Sequence, residues 1–203
     1  MRRPVLFGLA APVVVAATLF VGWWQVDGPG APQAAAQGDP RPVALSEMSF
    51  AMTDQDGRAV GPETLIGRPA LVFFGFTHCP EICPTTLYDI SDWLDGLGEE
   101  ADEITPVLIT VDPERDTTEM LAEYLDFFHE TIQGWVGSPE QLARAAEGFR
   151  ARYERVALSG GGYTMNHTAS VFLFDRTGRF VTAVDYHEPR EFALPKIRRA
   201  MGQ

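Results

Sequence analysis

Apolar residues fall into short runs along this chain, and the runs alternate with stretches of helical period. Residues 70–76 and 104–111 are markedly apolar runs, rich in β-branched and aromatic side chains, as is typical of strands buried on both faces of a sheet. Residues 171–174 and 180–184 flank an Asp-Arg-Thr-Gly turn and predict a hairpin. Shorter strands are predicted at residues 50–52, 58–60 and 133–136.

Four stretches between these strands repeat apolar residues at the helical period, which predicts amphipathic helices. They cover residues 84–97, 117–128, 138–153 and 189–201. Asp116 with Glu119 predicts a capping box at the start of the second helix. Ser138, followed by Pro139 and Gln141, predicts the start of the third helix.

The order of these elements predicts a single α/β domain over residues 43–203. A hairpin is followed by alternating strands and helices, then by a second hairpin and a closing helix. This order predicts a central mixed β-sheet with helices on both faces. A pair of cysteines stands at the first strand-to-helix turn of the alternating part. That position makes the predicted fold thioredoxin-like.

The first 42 residues differ from the domain in composition. Residues 4–24 carry no charge and, at 1.5 Å per residue, are long enough to cross the roughly 30 Å core of a bilayer as a helix. Two arginines precede this transmembrane anchor, so residues 1–3 are predicted to stay in the cytoplasm. Residues 25–42, rich in Gly, Pro, Ala and Gln, predict a flexible linker. The alternative is a cleaved signal peptide, with alanines 34–36 at its cleavage site.

The charge of the chain narrows the choice of partners. Its 28 acidic residues outnumber 16 basic ones, for a formal net charge of -12 at neutral pH. A nucleic-acid partner would require a basic face, so no nucleic-acid partner is expected.

Cys79 and Cys83, the only two cysteines of the 203 residues, follow the strand at 70–76. Three residues separate them, so both sulfurs can face one side of a helical turn. The positive end of the following helix lowers thiol pKa and favours the thiolate, which is both the redox nucleophile and the metal ligand. The pair is compatible with thiol–disulfide chemistry, with a soft metal such as Cu(I) or zinc, or with an inert disulfide.

Two thiolates leave a metal site incomplete, and His167 is the best candidate for a third ligand. It follows a glycine-rich loop at 159–162 and directly precedes a buried strand, a position that lies against the cysteine turn in thioredoxin-like folds. The remaining histidines are predicted to lie outside the site: His78, His129 and His187.

Asp112 follows the strand at 104–111 and is predicted to lie on the same rim of the sheet as the cysteines. From there it would orient His167 or another ligand by a hydrogen bond, without touching the metal. The alternative is that it serves only to start the turn at Pro113.

Three separated motifs closely resemble the Sco/SenC family of membrane-anchored, copper-binding proteins with a thioredoxin-like fold. They are Gly-Phe-Thr-His-Cys-Pro-Glu-Ile-Cys-Pro at 75–84, Val-Asp-Pro-Glu-Arg-Asp-Thr at 111–117, and His-Thr at 167–168. The resemblance covers roughly residues 43–200 in order and spacing. It implies that Cys79, Cys83 and His167 bind one copper ion, as Cu(I) or Cu(II). Asn166 departs from the family pattern, in which an Asp often precedes the histidine, but the change removes no ligand.

The same resemblance implies a role in the assembly of cytochrome c oxidase. The protein would be a copper chaperone, anchored in the bacterial inner membrane with its domain in the periplasm. It would accept copper from a periplasmic donor and deliver it to the dinuclear centre of the copper-bearing subunit of the oxidase.

The main alternative is a thiol–disulfide oxidoreductase that keeps the oxidase cysteines reduced and needs Cys79 and Cys83 but not His167. A peroxiredoxin is disfavoured because its Pro-x-x-x-Thr-x-x-Cys spacing is missing. A binding module with an inert disulfide is the remaining alternative.

Overall fold

The computed structural model describes residues 18–20 and 41–203. The chain divides into two compact units, Met1–Pro40 and Arg41–Gln203. The second unit contains the predicted α/β domain.

The predicted cytoplasmic tip at 1–3 lies outside the described residues. Most of the predicted anchor at 4–24 also lies outside them, apart from residues 18–20, which are helical. The predicted linker at 25–42 is described only at its last two residues. Within the described ranges, no helix is both long enough and apolar enough to cross a membrane.

The unit Arg41–Gln203 contains nine strands. In chain order they are β1 (Met52–Asp54), β2 (Ala59–Val60), β3 (Ala70–Gly75), β4 (Thr105–Thr110), β5 (Gln133–Val136), β6 (Tyr153–Ala157), β7 (Tyr163–His167), β8 (Val171–Phe174) and β9 (Phe180–Val184). Seven of them form one sheet in the order β2-β1-β5-β4-β3-β8-β9, and β6 and β7 form a separate hairpin.

The large sheet is mixed, as predicted. Its centre is parallel, since β3 pairs with β4 and β4 pairs with β5 in the same direction. The flanking pairs are antiparallel, including β3 with β8 and β1 with β5. Every residue of β3 and β4 is buried, so both faces of the sheet are covered at its centre.

Four α-helices of the same unit correspond to the four predicted ones. They are α1 (Ile82–Leu97), α2 (Thr118–Leu125), α3 (Pro139–Phe149) and α4 (Arg190–Met201). The helix α1 begins two residues before the predicted start, which brings Cys83 into its first turn. It buries the apolar stripe that includes Leu87, Ile90 and Leu94.

The prediction that the third helix extends to Tyr153 is wrong. As predicted, the hydroxyl of Ser138 caps α3 by accepting the N–H of Gln141 at 3.4 Å. Arg150, directly after the helix, adopts a left-handed conformation with φ of 55° and ends it. Tyr153 is instead the first residue of β6.

The hairpin of β6 and β7 replaces the predicted loop before β8. Its strands pair antiparallel in register from Tyr153 opposite His167 to Ala157 opposite Tyr163. No residue of either strand is fully buried, and neither strand has a continuous apolar run like those of β3 and β4. The glycine-rich segment forms the turn at the far end of this hairpin from His167.

The prediction that Asp116 caps α2 is also wrong. The hydroxyl of Thr117 is the cap and accepts the N–H of Met120 at 3.2 Å. Asp116 is 1% exposed, and its carboxylate accepts the N–H of Thr77 at 3.1 Å, the Thr77 hydroxyl at 2.6 Å and the Thr110 hydroxyl at 2.5 Å. It therefore joins the segments that follow β3 and end β4.

Candidate metal centre

The segment between β3 and α1 places the two cysteines on one side of the first helical turn. The N–H of Cys79 donates to the carbonyl of Phe76 at 3.3 Å, which closes a turn after β3. The Cys79 sulfur accepts the N–H of Cys83 at 3.3 Å, at the positive end of α1. Cys79 is half-buried and Cys83 is fully buried, and both are free thiols.

His167 reaches these sulfurs from the hairpin. It is the last residue of β7, and its Nε2 lies 3.4 Å from the Sγ of Cys83, 84 positions away in the sequence. The two sulfurs and one histidine nitrogen all lie within 4.8 Å of one another. Within residues 18–20 and 41–203, no other group of three His, Cys, Asp or Glu side chains is close enough to hold a metal.

The surroundings of His167 hold its ring with Nε2 directed at the cysteines. Its Nδ1 lies 3.0 Å from the carbonyl oxygen of Thr168, and because a carbonyl only accepts, this contact requires the proton on Nδ1. The Nε2 lone pair is then free to bind a metal. The rings of Phe73 and Phe76 stand edge-on to the imidazole, with centroids 5.9 Å and 5.8 Å away.

Gly75, the last residue of β3, leaves room for the buried sulfur. A Cβ at this position would lie 3.1 Å from the Sγ of Cys83, 2.9 Å from the ring of Phe73 and 3.0 Å from Leu108. These distances are shorter than ordinary van der Waals contacts, so a side chain here would displace the thiol or the core around it.

The two thiols have opposite shifts in pKa. The pKa of Cys79 is lowered to about 4, first because its thiolate accepts a hydrogen bond from Cys83, with smaller contributions from backbone N–H groups. The pKa of Cys83 is raised, first by donating that hydrogen bond and then by burial. The pair therefore shares one proton that stays on Cys83, so the predicted lowering of thiol pKa applies to Cys79 alone.

This asymmetry predicts the pH dependence of alkylation. In the reduced, metal-free chain, Cys79 is a thiolate above about pH 5, so its reaction with iodoacetamide should be nearly constant between pH 6 and pH 8. An ordinary thiol with a pKa near 8.5 would react about tenfold faster per pH unit over most of that range. Peptide mapping by mass spectrometry separates the two residues. A tenfold rise per unit at Cys79, or equal labelling of Cys83, would contradict the assignment.

The remaining histidines lie outside this group. His78 is exposed and its Nδ1 contacts the Thr77 hydroxyl at 3.0 Å. His129 contacts Thr131, and His187 contacts the carboxylate of Asp89.

Asp112 follows β4, and its carboxylate forms its hydrogen bonds with residues other than His167. Its carboxylate, which is 1% exposed, accepts Nε–H of Arg115 at 2.5 Å and the hydroxyl of Tyr163 at 2.9 Å. Reasoning from the sequence did not single out Arg115 or Tyr163. The signal for Arg115 was present, since it belongs to the Val-Asp-Pro-Glu-Arg-Asp-Thr motif at 111–117.

Two sulfurs and one imidazole nitrogen form a donor set for a soft metal ion. A structural zinc site would take four protein ligands, whereas this group supplies three. The half-buried Cys79 leaves one side of the group open to an incoming ligand.

The fold and the site thus define a thioredoxin-like α/β protein with a Cys-x-x-x-Cys and histidine group suited to a soft metal. The model of the SCO1/SenC family matches residues 38–202, and the chain belongs to this family.

Similar proteins include bacterial, plant and fungal members of the family. The chain is 37% identical over 134 residues to a SCO2-like protein of Rickettsia prowazekii, a match that covers 65% of each protein. A match at 35% identity covers 65% of this chain and 40% of the mitochondrial SCO1 homolog 1 of Arabidopsis thaliana. The matched stretch thus spans less than two thirds of these relatives.

Two solved structures with bound copper resemble the fold. The structure of Bradyrhizobium japonicum ScoI with copper bound has a TM-score of 0.70 at 41% identity, covering 75% of this chain and 97% of that one. Yeast Sco1 with copper bound has a TM-score of 0.67 at 30% identity, covering 74% of this chain and 84% of that one.

Proposed function

We propose that this protein binds one copper ion through the sulfurs of Cys79 and Cys83 and the Nε2 of His167. The observation that carries the proposal is the convergence of these three atoms, from distant parts of the chain, within 4.8 Å of one another. The donor set suits Cu(I), and the imidazole also suits Cu(II). The copper-bound ScoI and Sco1 structures, at 41% and 30% identity, support the same ion.

The bound copper is cargo for the copper-bearing subunit of cytochrome c oxidase, whose dinuclear centre also uses cysteine ligands. Family membership supports this partner. Transfer by ligand exchange is consistent with the geometry, because the sulfur of Cys79 is accessible while Cys83 is buried. An incoming thiolate would reach the ion from the side of Cys79. His167 would then leave the ion as its hairpin moves away from the cysteines. A periplasmic donor would load the site by the reverse exchange.

The N-terminal segment would hold the domain at a membrane surface. An uncharged stretch at 4–24, with two arginines before it, is the basis for a single-pass anchor in the bacterial inner membrane. Residues 25–42 would serve as the linker, and residues 43–203 would then form the periplasmic copper-binding domain.

A thiol–disulfide reductase is the second candidate, and the thiol pair favours it. Cys79 has a pKa of about 4 and lies beside a protonated Cys83, so an attacking thiolate and a second thiol to resolve the mixed disulfide are both present at neutral pH. Its thiolate would attack an oxidase disulfide and form a mixed disulfide. The sulfur of Cys83, after losing its proton, would then release the reduced oxidase dithiol and close the Cys79–Cys83 disulfide. Two electrons would pass from this protein to its partner.

Oxidase assembly in a strain that carries each variant distinguishes the two functions. The chaperone hypothesis predicts that His167→Ala and Cys83→Ser both lower the yield of oxidase with a filled dinuclear centre. It also predicts that added copper restores much of that yield. The reductase hypothesis predicts a defect for Cys83→Ser alone. Normal assembly in the His167→Ala strain without added copper would reject the chaperone role and favour the reductase.

A further inference from the structure

The β6–β7 hairpin that carries His167 has few polar contacts with the rest of the domain. Within the described residues, the hydrogen bonds and ion pairs that join residues 153–167 to other elements end on two places. One is Cys83, which contacts His167 itself. The other is the turn Asp112–Arg115, between β4 and α2. Together with the packing of Tyr153 and Met165 against the core, that turn positions the hairpin.

Tyr163 is the main attachment to this turn. Its hydroxyl donates to the buried carboxylate of Asp112 at 2.9 Å, and its carbonyl accepts Nη1–H of Arg115 at 3.2 Å. The guanidinium of Arg115 also lies 3.9 Å from the centroid of the Tyr163 ring, within the range of a cation–π interaction. Arg115 is in turn fixed by the 2.5 Å bond from its Nε to Asp112. Three interactions thus fix the first residue of β7 by its hydroxyl, its ring and its backbone.

The same strand connects Tyr163 to His167. The two residues begin and end β7, four positions apart, so their side chains project from the same face of the hairpin. Along a strand this separation is about 13 Å. A second route runs through Phe76, since the guanidinium of Arg115 lies 5.9 Å from the centroid of its ring, whose edge meets the imidazole of His167. A change at Tyr163 therefore alters the strand that holds His167, and a change at Arg115 alters both that strand and the Phe76 ring.

We propose that Tyr163 and Arg115, braced by Asp112, are positioning residues that hold His167 against the cysteine pair. They set how readily the imidazole leaves a bound copper ion. The proposal rests on the proposed copper site, but Tyr163 and Arg115 act through His167 and touch no metal. Asp112 thereby orients His167 indirectly, through the hairpin, rather than by a hydrogen bond to the imidazole.

The exposed contact between the same two elements offers a matched control. Arg155 of β6 forms an ion pair with Glu114, and both side chains are about half exposed or more. Exposed ion pairs of this kind contribute little to stability. The guanidinium of Arg155 also lies 3.9 Å from the centroid of the Tyr163 ring. Glu114→Gln removes only the ion pair and keeps the bonds of Tyr163 to Asp112 and Arg115, so it should change copper release much less than Tyr163→Leu does.

The test measures the rate at which a Cu(I) chelator removes copper from the reduced full-length chain, in the unaltered protein and in His167→Ala. In the chain with His167, Tyr163→Leu should accelerate release about tenfold, in the range found when groups that orient metal ligands are removed. Tyr163→Phe, which keeps the ring, should have a smaller effect. In the His167→Ala chain neither variant should alter the rate, since a residue that acts only through His167 has nothing left to position.

Equal acceleration in both backgrounds, or none in either, would overturn the proposal. If Tyr163→Leu does not fold, the comparison is made with Tyr163→Phe and Arg115→Lys, which keep the ring and the charge respectively. The unaltered chain and His167→Ala report on the proposed function separately. Equal release from these two would reject His167 as a ligand. A difference between them without an effect of the Tyr163 or Arg115 variants would reject the positioning role alone.

Discussion

Replacing Cys83 with serine is expected to lower the affinity of the reduced protein for Cu(I) by about a thousandfold. Binding at a thiolate-rich protein site is worth on the order of 10–16 kcal/mol, so one of three ligands accounts for roughly 4 kcal/mol, or about three factors of ten. A serine hydroxyl is a hard, neutral oxygen and does not replace a soft thiolate. Cys79 is the only other cysteine of the 203 residues and already supplies a ligand, so no further thiol can take the place of Cys83.

Competition against a Cu(I) chelator of known affinity, with the reduced full-length chain, measures this loss. His167→Ala should reduce the Cu(I) affinity less, because the two thiolates remain, but it should remove the nitrogen coupling from the electron paramagnetic resonance spectrum of the Cu(II) form. His78→Ala is the matched control, since it deletes an exposed imidazole next to Cys79. A Cys83→Ser chain that retains one copper ion with unchanged affinity would eliminate the proposed site.

The sequence predicted those strands and helices whose own residues show a local pattern of composition or a helix-start motif. The strands β3 and β4 are buried along their whole length, so their composition alone identifies them. Ser138 and Pro139 predict the start of the helix α3, because these residue types are common at the N-cap and at the first helical position. These features depend on local propensity and burial, which a single sequence displays.

The β6–β7 hairpin lacked such a signal because it packs with one partner strand and stays partly exposed. The sequence predicted that His167 lies in a loop, whereas it is the last residue of β7 and lies at the opposite end of the hairpin from the glycine-rich turn. The sequence could therefore not predict what holds the histidine in place. It placed His167 near the cysteines only through the general arrangement of a thioredoxin-like fold.

Asp116 shows why spacing alone misleads. An acidic residue three positions before a glutamate is as compatible with a helix cap as with a buried acceptor. The N-cap residue is the adjacent Thr117, whose hydroxyl accepts a backbone N–H at the start of α2. What decided the role of Asp116 was the approach of Thr77, 39 positions earlier in the chain, and no local pattern reports a contact of that range.

Asp116→Ala is expected to lower the free energy of unfolding by about 2–4 kcal/mol. The carboxylate is 1% exposed, and its loss leaves the N–H and hydroxyl of the part-buried Thr77 and the buried hydroxyl of Thr110 without their acceptor. Each unsatisfied buried group costs about 1–3 kcal/mol, partly relieved because a hydroxyl can rotate to another acceptor. Urea unfolding of the reduced full-length chain, followed by circular dichroism, measures the change. Glu123→Ala, an exposed acid on α2, should stay within about 0.5 kcal/mol of the unaltered chain.

The same variant should also disturb the metal site, because Thr77 stands two residues before Cys79 in the turn after β3. Asp116 connects that turn to the end of β4, so its removal frees the segment that positions the half-buried sulfur of Cys79. The assembled site brings three ligands together and should bind copper more tightly than the unfolded chain does, so saturating copper should restore part of the lost stability by mass action. Asp116→Asn keeps the shape and one acceptor oxygen, and it should lose about half as much stability as the alanine variant. An alanine variant as stable as the unaltered chain would show that the bonds of Asp116 to Thr77 and Thr110 do not stabilise the turn.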